Sequence, residues 1–98
     1  MLIAAPPALA AQCDSELPLP ALRVAHVAAA TQRIPVTRPL IVVAFGTLPH
    51  GEEEMLRDAC AGTGSVLLEV PKDIEMVELK HRVARALVAI ENRGQSSS

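Results

Sequence analysis

A chain of 98 residues fits one domain near the lower end of common size, which buries roughly 60 to 70% of its unfolded surface and can form a core without metal or disulfide staples. Half the residues are apolar, but these are mostly Ala, Val and Leu, with Phe45 the single aromatic, so the core has little bulk per residue. Nine Lys and Arg against eleven Asp and Glu give a net charge of -2 with no long basic run, which argues against nucleic acid as a partner.

The chain opens with Met1 to Ala5, apolar, short and bounded by Pro6-Pro7, which suits a first strand stopped before a helix. Ala8-Leu9-Ala10 resembles a secretory cleavage site, but no Lys or Arg precedes the apolar stretch and two prolines interrupt it, so the segment is read as part of the fold. A helix begins at the prolines, since proline is tolerated in a first helical turn. It runs from Ala8 to Leu17 until Pro18 and Pro20 end it.

In ALRVAHVAAATQR, Leu22, Val24 and His26 alternate as in a strand, while the Ala-rich end is equally compatible with a helix; a strand from Leu22 to Val27 is the preferred reading. Thr31 to Pro39 holds two prolines and no clear period, so an irregular connection with at most one helical turn is expected. Leu40 to Phe45 is continuously apolar. A strand covered on both faces reads this way, which places it at the centre of a parallel sheet and makes Phe45 to His50 the loop in which chemistry would gather.

Gly51-Glu52-Glu53-Glu54 puts three carboxylates in the first turn of a helix, where the backbone dipole favours them. Met55, Leu56, Ala59 and Cys60 fall on one face, and Gly62 and Gly64 end the helix. Ser65 to Val70 is the next strand, closed by Pro71. Asp73 is the expected N-cap of a last helix to Arg93, whose stripe Met76, Leu79, Val83, Leu87 and Ile90 covers the sheet. Gly94 is expected to end it, with 94–98 a disordered tail. The order predicts an α/β fold, residues 1–93 forming one domain: a small, mostly parallel sheet of about four strands flanked by helices, flavodoxin-like in arrangement.

Taken in that order, the chain resembles the receiver domain of two-component response regulators, shortened and degenerate. FGTLP places Phe45 at the phosphoacceptor position, with Leu48 and Pro49 matching the residues that follow it in the family. Ala5 and Pro6 stand where the family's magnesium-binding acids belong, and VPKDIEMVELKHRVARAL resembles the Lys-Pro junction before the family's last helix, with Val70 in place of Lys. The chain is short by about one strand and one helix. The stretch from Pro39 onward also matches the last two strands and helices of the family, which would make Leu40 to Phe45 the fourth strand. Either register removes the carboxylates that phosphoryl transfer requires, so the resemblance implies a pseudo-receiver that is not phosphorylated, is not an enzyme and binds a protein in bacterial signalling or transcriptional control.

No catalytic residue, metal ligand or cofactor is expected. His26, His50 and His81 lack metal-binding spacing, although His50 lies in the loop after the central strand and is the one candidate for a small-ligand or enzymatic alternative using Gly46 to Gly51. A structural assembly subunit is a third reading. Ala61-Gly62-Thr63-Gly64-Ser65 follows a helix and lacks the Lys of a phosphate loop, so a helix C-cap is preferred. Cys13 and Cys60 have no metal spacing and are read as buried, reduced thiols, which gives a cytoplasmic expectation; no run is long enough to cross a bilayer. Val77, Ala84 and Val88 lie on a face beside the core stripe of the last helix. They are the candidate interface for a protein partner or homodimer, against the alternative that this helix is sunk between the sheet and the Pro-rich N-terminal segment.

Overall fold

A computed structural model describes residues 1–16 and 22–96, with side chains described to residue 92. Among these residues the elements alternate as β1 (Leu2–Ile3), α1 (Pro7–Glu16), β2 (Arg23–Val24), α2 (Val27–Thr37), β3 (Ile41–Phe45), α3 (His50–Thr63), β4 (Val66–Val70) and α4 (Met76–Ser96). The strands form one sheet of order β2-β1-β3-β4, parallel throughout, as in the flavodoxin-like arrangement. All five residues of β3 are buried, because strands and helices cover it on every side, and this is what its unbroken apolar run requires.

Crossover handedness distributes the helices. Parallel crossovers are right-handed, so a step toward β2 and a step toward β4 place their helices on opposite faces. Accordingly α2 and α3 share one face, where Val27, Ala30, Ile34, Leu56 and Cys60 pack on Ile3, Val42 and Ala44. On the other, α1 and α4 bring Cys13, Leu79, Val83 and Ala86 against Leu2, Ile41, Val43 and Phe45. An Arg23–Asp14 ion pair joins β2 to α1, and Lys80 Nζ lies 3.6 Å from Glu16 Oε1, joining α4 to α1.

Several expected boundaries move. The strand expected over Leu22 to Val27 is only Arg23–Val24, and the irregular connection expected over Thr31 to Pro39 is largely helix α2. Val27, Ala30 and Ile34 form its buried face, and the His26 side chain caps it by accepting from the Ala29 N–H at 3.2 Å. Pro35 falls in the last turn, where its missing N–H forfeits one hydrogen bond without breaking the preceding turns. Strand β1 is also shorter than Met1 to Ala5, since Ala4 turns to φ 56°.

Helix α4 begins at Met76 rather than at an Asp73 cap, its first turn closed by the Leu79 N–H donating to the Glu75 carbonyl at 3.0 Å. It continues through Gly94 to Ser96, so that glycine does not end it and part of the expected tail is helical. The expected helix end over Leu17, Pro18 and Pro20, and the tail residues Ser97 and Ser98, lie outside the described residues. The C-cap reading of the Gly-rich loop is correct: Gly64 adopts φ 74° and its N–H points at the carbonyls of Ala61 and Cys60.

Candidate functional site

In an open parallel sheet, ligands settle outside the carboxyl ends of strands whose crossovers leave in opposite directions. Here that point lies between β1 and β3, since α1 leads away to β2 and α3 to β4. The residues at the two strand ends are Ala4, Ala5 and Pro6 on one side and Gly46, Thr47, Leu48 and Pro49 on the other. None carries a carboxylate. Phe45, at the position of the phosphoacceptor in the resemblance, is 2% exposed and belongs to the core beneath α1 and α4, so it serves packing.

Two backbone features mark this end of the sheet. Ala4 holds a left-handed φ of 56°, a conformation that costs a residue with a β-carbon about 1–2 kcal/mol. Gly46 has φ 88°, and its N–H donates to the Val70 carbonyl at 2.8 Å, joining the loop after β3 to the end of β4. The stem of Lys72 crosses over Gly46, so that a β-carbon there would meet Lys72 Cε at 2.9 Å and Cγ at 3.2 Å. Glycine is favoured here by its φ, and a β-carbon would in addition oblige the flexible Lys72 stem to move aside.

His50 is the first residue of α3 rather than a loop residue. It is 86% exposed on its side chain and lies 3.2 Å from Glu54 one turn on, which is a surface helix-start pair. Glu53 pairs with Arg57 at 2.6 Å, which accounts for a second carboxylate of the Glu52 to Glu54 run. Among the described residues no three His, Cys, Asp or Glu come together in a way that could hold a metal ion. Cys13 and Cys60 are buried on opposite faces of the sheet, unbonded to each other. Burial pushes both thiols up, with the nearby Asp14 adding to the shift at Cys13 and the N-terminal ammonium partly offsetting it at Cys60.

The face of α4 turned away from the sheet is different. Leu79, Val83 and Ala86 are buried, and Met76, Leu87 and Ile90 pack beside them, as the stripe predicts. Val77 and Val88 are 79% and 54% exposed and Ala84 is also exposed, so the described residues leave this face of the helix uncovered. His81, Ala84, Arg85 and Val88 line a shallow, mainly apolar depression on this face. Lys80 and Arg82 are paired with Glu16 and Glu78, whereas Arg85 has no ion-pair partner among the described residues.

These features define a class, a small all-parallel α/β domain of flavodoxin-like strand order. No family model, curated protein or solved structure matches the chain. No described helix is long and apolar enough to cross a membrane.

Proposed function

We propose that the protein is a receiver-like interaction module that docks a partner protein through α4 and performs no phosphoryl transfer. The observation that carries this reading is the ridge Val77, Ala84 and Val88, apolar and exposed on a helix whose other stripe already covers the sheet. A wide apolar arc beyond what one sheet contact needs is the mark of a second contact. Arg85 and His81, which line the depression with Ala84 and Val88, favour as partner an amphipathic helix with apolar anchors and an acidic flank.

The strand ends support the non-catalytic half of the reading. Metal-assisted phosphoryl transfer needs carboxylates to place magnesium and to attack phosphorus, and Ala5, Pro6 and Phe45 supply none. Incubation with acetyl phosphate and magnesium should leave the intact mass unchanged; a labile phosphoryl adduct would overturn that half. For the docking half, Val77→Glu and Val88→Glu should each fold with melting temperatures close to the parent's, because exposed positions carry little stability. Each should weaken binding of the purified partner at least tenfold. Unaltered affinity in both variants would refute the α4 surface.

A further inference from the structure

Among the described residues the edge of the sheet at β4 is left unpaired, and its hydrogen-bonding pattern bears on what would complete it. The Val66 N–H donates to the Leu40 carbonyl at 2.9 Å and the Gly46 N–H to the Val70 carbonyl at 2.8 Å. Backbone groups alternate sides along a strand, so Val66, Leu68 and Val70 turn theirs toward β3 while Leu67 and Glu69 turn theirs outward. β4 is the last strand of the sheet, and among the described residues no backbone group bonds the outward amides and carbonyls of Leu67 and Glu69. The consequence for packing is visible. Val66, Leu67 and Leu68 are only half-buried, whereas every residue of β3 is buried.

We infer that β4 pairs with β4 of a second copy of this chain, antiparallel, about a two-fold axis through Leu68. The two outward residues are placed symmetrically about Leu68, so the edge is complementary to itself. In this register Leu67 of each copy faces Glu69 of the other in a hydrogen-bonded pair, which satisfies every outward amide and carbonyl of both residues, and Leu68 faces its own counterpart in the intervening non-hydrogen-bonded pair. The half-buried side chains gain cover at the same time: Val66 lies beside Val70 of the second copy on the α4 face, and Leu67 beside the stem of Glu69 on the α3 face.

Charge does not oppose the pairing. Arg57 lies 2.6 Å from Glu53 and 3.9 Å from Glu69, so each Glu69 enters the interface beside a guanidinium. The edge has few of the protections that keep such strands apart: Val66 to Val70 contains no Lys, no proline and no bulge, and its one charge, Glu69 on the α3 face, lies 3.9 Å from the Arg57 guanidinium. The result is an eight-stranded sheet running through two copies, with the α4 ridges left open for the partner.

Solution mass of the full chain tests this. The wild type should have twice the chain mass at micromolar concentration. Glu69→Pro removes one outward N–H without touching the ladder to β3 and should raise the dimer dissociation constant at least tenfold, with an unchanged circular dichroism spectrum. Should that variant fail to fold, Leu68→Cys decides. Non-hydrogen-bonded antiparallel partners have Cα atoms about 4.5 Å apart, within the range of about 4.4–6.8 Å that a disulfide spans. Mild oxidation should therefore link two Leu68→Cys chains and leave Val77→Cys chains unlinked. A monomeric wild type, a folded Glu69→Pro variant that stays fully dimeric, or a dimer dissociated by Val88→Glu would each overturn the inference.

Discussion

Replacing Phe45 by Ala tests how a core poor in bulk is held together. Phe45 ends β3, is 2% exposed and shares a cluster with Cys13 of α1, Val70 of β4 and Leu79 and Val83 of α4, so it lies where two helices meet the sheet. Buried Phe to Ala costs about 3–5 kcal/mol, through lost transfer energy and the cavity that remains. The upper end is expected, because the residues around it include Cys, Val and Ala, which cannot swing in to fill the space. A 98-residue domain has about 5–15 kcal/mol in total at about 0.05–0.15 kcal/mol per residue. The variant should therefore lose a third or more of its stability. In urea, at a slope of about 2 kcal/mol per molar, the midpoint should fall by about 2 M, followed by circular dichroism. A dispersed native NMR spectrum together with a wild-type midpoint would refute the assignment of Phe45 to packing.

Three further outcomes follow from the geometry. Gly46→Ala should destabilise by about 1–2 kcal/mol, from its left-handed φ and from the stem of Lys72; a double-mutant cycle with Lys72→Ala should return the steric part and leave the backbone part. Arg38 caps α2 in the left-handed region at φ 46°, so Arg38→Gly should raise the melting temperature, the relief of about 1–2 kcal/mol exceeding the added freedom of glycine in the unfolded chain, about 0.4–1 kcal/mol. Both cysteines are held protonated by burial, so the unfolded chain ionises first. The thiols' contribution to stability should thus be intact below the ordinary thiol range and be lost as pH rises above about 8.5, with Cys60→Ala reducing the slope of a urea series against pH in that alkaline range.

The parts of this fold that are legible in the sequence are those whose pattern has one cause. The apolar run from Leu40 to Phe45 calls for cover on both faces, which Ile41 to Phe45 receive in β3 while Leu40 stays outside the strand and 51% exposed, and the stripe of α4 has an unbroken helical period that the structure keeps. Residues 22–39 mix two causes. His26 continues a strand-like alternation, yet its ring is the cap of α2, and Pro35 reads as a breaker although it stands in a last turn where the loss is small. The caps of α3 and α4 are misplaced by a few residues for a similar reason, since Pro49 and the Glu75 carbonyl begin those helices without the side-chain hydrogen bond that an Asp would signal.

At the candidate site, the absence of acids from the strand ends is plain from Ala5, Pro6 and Phe45, and the exposed ridge of α4 follows from an apolar arc wider than one stripe. The crossing of Lys72 over Gly46 and the outward amides of Leu67 and Glu69 are not legible. They depend on strand order and register, which bring together residues far apart in the chain and leave no local trace.

Photocrosslinking from position 88 in cells tests the central claim, that α4 is the docking surface, most directly. A photoreactive residue at Val88 should link to one partner protein, Val77→Glu in the same chain should abolish the link, and the same probe at Val36 of α2, apolar and 81% exposed but outside the ridge, should capture nothing specific. Equal capture from positions 36 and 88, or capture at 88 that survives Val77→Glu, would contradict it.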